Sequence, residues 1–116
     1  MVTRTQFSGD GVAEMALTAP LSIGSTRYGL TGIRLCVGEV LAPGFIDFLE
    51  IDRLDSSGSS EEPFFDVTQR SSQGCYDYSL DLDIGEGLSI QIGLDGGGTV
   101  ELGSVTATWT AGAGSN

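Results

Sequence analysis

The sequence predicts an all-β protein, a single antiparallel β-sandwich or jelly-roll-like domain of about seven to eight short strands. Apolar and polar residues alternate with period two over most of the 116 residues, as they do in half-buried strands. Glycine is abundant, at 18 residues, whereas proline is rare, at three, and no segment has the periodicity of an amphipathic helix. Because one core suffices for this length, we expect residues 1–116 to form one domain.

The alternation places seven strands along the chain. The predicted strands span residues 12–18, 28–37, 45–54, 63–69, 75–83, 87–94 and 99–110. Most are separated by "LAPG", "DSSGSSEEP", "RSSQG", "IGEG" and "DGGG", whose Gly, Pro, Asp and Ser residues favour turns. Residues 1–11 and 111–116 offer little to a core, so we expect flexible or partner-ordered arms there.

The stretch "YDYSLDLDI", which begins at Tyr76, shows the alternation most clearly, with aromatic and aliphatic residues on one face and acidic or hydroxyl residues on the other. "GEG" then makes a turn and the alternation resumes from Leu88, which predicts a hairpin. Asp77, Asp81 and Asp83 are predicted to face water. The predicted core comprises Ile33, Leu35, Val37, Leu80, Leu82, Leu88, Ile90, Ile92 and Trp109.

Two strands change parity along their length. In "VELGSVTATW" the apolar residues move from even to odd positions, so we expect one extra residue, a β-bulge, at Gly103. A similar slip is expected in "FIDFLEID", where Phe48 and Leu49 are adjacent. These irregularities keep a strand amphipathic and do not by themselves indicate a site.

The charge balance excludes several classes of partner. Sixteen acidic residues against five arginines give a net charge of −11, so nucleic acid would be repelled. The N-terminus "MVTRTQFSGDG" reaches a polar turn before any apolar signal-peptide core could form, and no apolar run is long enough to cross a bilayer. We therefore expect no signal peptide, no membrane segment, and synthesis in the cytoplasm. The scattered arginines are candidates for contact with a protein partner. They are Arg4, Arg27, Arg34, Arg53 and Arg70.

Catalytic and metal-binding patterns are weak. Asp81, Asp83 and Glu86 resemble the start of a calcium loop but lack its later ligands, so a solvated strand face is favoured over a metal site. Without histidine, no Ser-His or Cys-His pair can form, and we expect no enzyme activity and no cofactor. Acidic residues in "FIDFLEIDRLD" are interpreted as charged strand positions that face water, rather than as a glycosidase pair.

The cysteines and the aromatic residues each allow two interpretations. Cys36 and Cys75 lack CxxC spacing, and two reduced thiols are favoured over a disulfide in a cytoplasmic protein. A set of aromatic residues could stack on a sugar, but Tyr76 and Tyr78 share their face with leucines, which favours the core. This set comprises Phe64, Phe65, Tyr76, Tyr78 and Trp109.

The order of parts from about residue 30 to 110 resembles a group of small β-sandwich structural proteins of tailed bacteriophages. The resemblance lies in an "LTGIRLCV" strand, "FLEIDRLDSSGS", "FFDVTQRSS", the hairpin "YSLDLDIGEGLSIQIGLDGGGTV" and a closing "VTATW" strand. In that group the corresponding places hold an "IRL" strand, a "TITLDS" strand with a Gly/Ser turn, and a hairpin with "GD". This chain has "GEG" there and ends differently, in "VELGSVTATW".

The resemblance implies a non-enzymatic virion protein with no catalytic residues. The expected role is a capsid decoration (cement) protein, a trimer that binds the major capsid protein and stabilises the shell. A tail or neck component and a carbohydrate-binding β-sandwich module are the alternatives. Acidic outward faces fit an abundant surface subunit, because like charges keep particles apart.

Overall fold

The computed structural model describes residues 5–8, 11–18 and 27–113, and every regular element within these ranges is a β-strand. No helix of this described part is long and apolar enough to span a lipid bilayer. The strands are β1 (Thr5–Ser8), β2 (Gly11–Leu17), β3 (Tyr28–Leu41), β4 (Phe45–Leu54), β5 (Ser60–Asp66), β6 (Gly74–Leu82), β7 (Gly87–Asp95) and β8 (Thr99–Ala111). The predicted all-β fold is confirmed.

The strands form two four-stranded antiparallel sheets. The first sheet has the order β1-β8-β3-β6 and the second β2-β7-β4-β5. β1 pairs with β8, β2 with β7, β3 with β6 and β4 with β5, so the chain is one long hairpin whose tip joins β4 to β5. The hairpin is rolled so that β8 meets β3 and β7 meets β4. This is the strand order of an eight-stranded jelly roll.

The tip of the long hairpin is an ordered turn. The Asp55 carboxylate accepts hydrogen bonds from the backbone N–H groups of Ser57 and Ser59, each at 2.9 Å. The Ser57 hydroxyl donates to the same oxygen, and these bonds hold the pKa of Asp55 below its ordinary value. The serine-rich sequence is therefore a built turn rather than a linker.

One apolar core lies between the sheets. Six of the nine predicted core residues are buried, namely Ile33, Leu35, Val37, Leu88, Ile90 and Ile92. The other three, Leu80, Leu82 and Trp109, are partly buried and pack against this core. Asp77, Asp81 and Asp83 are exposed, as their parity predicts. Burial of alternate residues, most completely in β3, β4, β7 and β8, therefore holds the two sheets together.

Both predicted irregularities are present as register shifts. Cys36 pairs with Ser104 and the next residue, Val37, pairs with Leu102, which leaves Gly103 as the extra residue of β8. In β4, Ile46 pairs with Leu94 and Phe48 with Gly93, so Asp47 is the extra residue. Each bulge returns the following apolar residues to the core side, because side chains alternate with period two.

Several predicted boundaries differ from the structure, most of them by one residue, and the larger differences concern β1, β3 and β5, which ends at Asp66 rather than residue 69. Thr5–Ser8, placed in a flexible arm, forms β1, since the outer edge of β8 offers unpaired backbone groups that a short segment can bond. The assigned arms otherwise lie mostly outside the described residues. β5 begins at Ser60 rather than residue 63, because an edge strand tolerates Pro63 and a bulge beside it. β3 continues to Leu41, where it still pairs with Thr99 of β8.

The expectation of two reduced thiols is wrong, because Cys36 and Cys75 form a disulfide. The two cysteines lie directly opposite each other on β3 and β6, with Cα atoms 4.0 Å apart. Sequence spacing could not reveal this pairing, since it depends on the register of strands that are far apart in the chain. The bond ties the edge strand β6 to a central strand of the first sheet.

Replacing both Cys36 and Cys75 by serine is expected to lower the free energy of unfolding. A loop of this size, with a sequence separation of 39, limits the unfolded chain, and the loss is about 4 kcal/mol on the chain-entropy account. Urea unfolding with and without a thiol reductant measures it. The reductant should shift the wild-type midpoint to that of the double variant; identical midpoints for all samples would contradict the prediction.

Candidate functional site

The residues considered for a metal site do not converge. Asp81 and Asp83 lie on the outward side of the β6 end, and Glu86 lies in the turn before β7. Asp83 is engaged by Arg53, whose Nη1 donates to Asp83 Oδ1 at 2.7 Å. In the described ranges, the acidic groups that gather within 4.8 Å are instead Glu50, Asp52 and Glu62.

Arg53 ties the two sheets together at one end of the sandwich. Its Nε donates to Glu61 Oε1 at 3.0 Å on β5, and its Nη1 reaches Asp83, which follows β6 of the other sheet. The bond to Glu61 is the larger cause that holds the pKa of Arg53 above its ordinary value, and the negative charge of Asp83 adds to it against the effect of burial. The arginine side chain is 19% exposed, whereas the side chains of Glu61 and Asp83 are 51% and 53% exposed, so water reaches both ion pairs from the carboxylate side.

The other candidate contact arginines are dispersed. Arg70 lies between the sheets, with its guanidinium 4.5 Å from the centre of the Tyr76 ring and 5.6 Å from that of Tyr78. Arg34 is exposed on the outer side of the first sheet, 3.9 Å from Asp77. Arg27 lines an open cleft beside Arg53, and Arg4 lies outside the described residues. Arg53 and Arg70 thus have roles inside the chain.

The outer face of the second sheet gathers polar side chains from neighbouring strands. Glu14 of β2, Gln91 of β7 and Glu50 of β4 are directly opposite one another, which puts them on one face. The Gln91 side-chain amide donates to Glu14 Oε2 at 2.8 Å and to Asp52 Oδ2 at 2.7 Å. Glu62 of β5 completes the group around Glu50 and Asp52. We call these five residues the carboxylate row.

The neighbouring carboxyl groups of this row raise the pKa of one of its members, Glu50. A hydrogen bond between the Glu50 and Asp52 carboxyl groups, partial burial, and the negative charges of Asp52 and Glu62 raise the pKa of Glu50 to about 7. Sequence reasoning placed Glu50 and Asp52 on a wet strand face but did not bring Glu62 to them. The open sheet surface is unlike the clefts in which paired carboxylates act as acid and base.

Two phenylalanines lie on the same outer face as the carboxylate row. The Phe48 ring lies across Gly93, the residue opposite it on β7, where a Cβ atom would collide with the ring. Phe65 of β5 is opposite Glu50 and is 49% exposed, and the two ring centres are 5.5 Å apart. By contrast, Phe64 and Tyr78 meet edge to face between the sheets, as the core interpretation of the aromatic residues requires.

The raised pKa of Glu50 predicts a pH dependence of stability. Since the pKa is about 7 in the folded chain and 4.5 ordinarily, the folded state holds this proton more tightly. Stability from this group is complete below about pH 4.5 and is lost as pH rises through 7. Urea unfolding between pH 4.5 and pH 8 should show this decline, and Glu50→Gln should reduce it. Asp77→Asn, on the other sheet, should retain the wild-type decline; equal slopes in wild type and Glu50→Gln contradict the assignment.

Loss of Arg53 should destabilise the fold far more than loss of Arg34. Arg53→Met removes two close ion pairs made by a largely buried guanidinium to half-exposed carboxylates, and we expect a loss of about 1–2 kcal/mol in the free energy of unfolding. Arg34→Met removes a contact of 3.9 Å in which the arginine is 59% exposed, so a change below about 0.5 kcal/mol is expected. Urea denaturation of both variants measures the difference. Similar losses would show that Arg53 does not join the sheets.

The chain was compared with protein-family models, curated proteins and solved structures. No protein-family model, curated protein or solved structure matches it.

Proposed function

We propose that the chain is a non-enzymatic structural protein of a tailed bacteriophage particle, a capsid decoration protein that binds the major capsid protein and stabilises the shell. The observation that carries this proposal is the eight-stranded jelly-roll order of the chain, six of whose strands, β3 to β8, lie in the segment whose parts resemble phage structural proteins. Jelly rolls recur in viral capsid and lectin domains. That recurrence is an analogy of fold and supports the proposal without assigning a site.

The surface chemistry is consistent with a binding part rather than a catalyst. The sequence has no histidine, and the carboxylate row lies on an open sheet face beside the half-buried Phe48 ring and the exposed Phe65 ring. Such a face offers shape, charge and apolar contact to a partner, but it does not enclose a small substrate. A single subunit of this size would bury little surface area against the shell. Attachment as a trimer that touches several shell proteins would combine the contacts of three subunits and so strengthen binding.

The disulfide is also consistent with a protein that works outside the cell. Disulfides persist in oxidising surroundings and are rare in a reducing cytoplasm. A virion protein is made in the host cytoplasm and is exposed to the medium after lysis. The Cys36–Cys75 bond would then close after assembly or release, on a fold that already holds the two residues opposite each other.

Copy number in purified particles tests the proposal. Particles from a lysate in which the chain is expressed from its natural genome are separated by density and quantified by mass spectrometry against the major capsid protein. We expect abundance comparable to that of the shell protein, because decoration follows the shell symmetry. A copy number of about six or twelve would assign the chain to the neck or tail. Absence from the particles would overturn the virion role.

A further inference from the structure

The outer face of the second sheet contains an apolar patch that the core does not use. The bulge at Asp47 leaves Phe48 on the outside, where it packs on Gly93 and against Phe65. Val12, opposite Gly93 on β2, is 55% exposed. Val12 and Phe65 are thus exposed on either side of the half-buried Phe48, and neighbouring apolar side chains of this kind indicate a contact surface more than isolated exposed residues do.

The surroundings of this patch are acidic. The carboxylate row runs beside it, and the Asp47 carboxylate also lies over Gly93. Across the ranges that the structure describes, the arginines lie elsewhere: Arg53 and Arg70 between the sheets, Arg34 on the first sheet and Arg27 at the end cleft. The face therefore presents apolar rings within a field of uncompensated negative charge.

We infer that this face docks a polypeptide surface in which apolar side chains alternate with lysine or arginine. Burial of the rings supplies apolar contact, and cations placed over the carboxylate row remove the repulsion between its members. A second copy of this face, a nucleic acid and an acidic glycan would all bring negative charge to it and are disfavoured. A neutral glycan could stack on the rings but would leave the carboxylates uncompensated.

The titration of Glu50 supports this choice of partner. The hydrogen bond to Asp52, partial burial and the negative charges of Asp52 and Glu62 raise the pKa of Glu50 to about 7, so the charge of this part of the face changes near neutral pH. A cation from a partner lowers that pKa by favouring the charged form. The chemistry of the partner follows from this face alone, whereas its identity as the major capsid protein rests on the proposed function.

A labelled peptide tests the inference directly. The probe is a fluorescein peptide in which lysine alternates with valine, and a second peptide carries glutamate in place of each lysine. Binding to the full chain is measured by fluorescence anisotropy at low and physiological salt. We expect the lysine peptide to bind, with affinity that falls as salt rises, and the glutamate peptide not to bind. Equal binding of both peptides, or of neither, overturns the inference.

Variants separate this face from the general negative charge of the chain. Phe65→Ser and the double variant Glu50→Gln with Glu62→Gln should each weaken binding by about tenfold. The matched control, Glu39→Gln with Asp77→Asn, removes the same number of carboxyl groups from the first sheet and should alter binding by less than about twofold. Circular dichroism and melting temperature confirm that each variant is folded.

Two further outcomes oppose the inference. An equal loss of binding in the matched control would show that net charge alone attracts the peptide. Retention of a polysaccharide on a glycan array, abolished by Phe65→Ser, would reassign the face to carbohydrate. Because particle copy number is measured independently, failure of the docking surface and failure of the virion role can be told apart.

Discussion

The pairing of each strand in the first half of the chain with a strand in the second half, in reverse order, is the constraint on which the rest of this structure depends. β4 and β5 are neighbours in sequence, but β1 and β8 are nearly the whole chain apart. Every pair outside the tip therefore closes a longer loop than the pair inside it, at an added cost in conformational entropy. The ordered Asp55 turn limits that cost where the hairpin begins.

Rolling the long hairpin into two sheets requires that each strand keep one apolar side toward the other sheet. A one-residue slip would exchange the two sides of a strand, so the bulges at Asp47 and Gly103 are needed to preserve the core. The Asp47 bulge has a second effect, because it leaves Phe48 outside next to Phe65. The Asp47 bulge thus keeps the later apolar residues of β4 in the core and also places an aromatic ring on the outer face.

The sequence was sufficient for features that depend on local pattern. Seven strands, both bulges and the outward direction of Asp77 and Asp81 follow from alternation, which is a property of neighbouring residues. Features that depend on register between distant strands were not predictable. The Cys36–Cys75 bond, the two ion pairs of Arg53 and the pairing of β1 with β8 all join residues whose proximity the alternation does not specify.

Some features of the carboxylate row also follow from local alternation, whereas others depend on the register between distant strands. Alternation placed Glu50 and Asp52 on a wet face, but the approach of Glu62 depends on the bulge beside Pro63 in β5, and the link through Gln91 depends on β7 lying between β2 and β4. The arginines considered as partner contacts were assigned from their number and spacing. Their actual neighbours, two tyrosine rings for Arg70 and two carboxylates for Arg53, come from the packing of one sheet on the other.

The position of the disulfide has a topological consequence. Cys36 and Cys75 belong to the first sheet, yet the chain between them leaves that sheet, forms β4 and β5 in the second, and returns. Together with the backbone, the sulfur bridge closes a covalent ring that contains half of the second sheet. A protease that cuts once at the exposed Ser56–Gly58 turn would open this ring without releasing a fragment, so the nicked chain would stay one molecule until its disulfide was reduced.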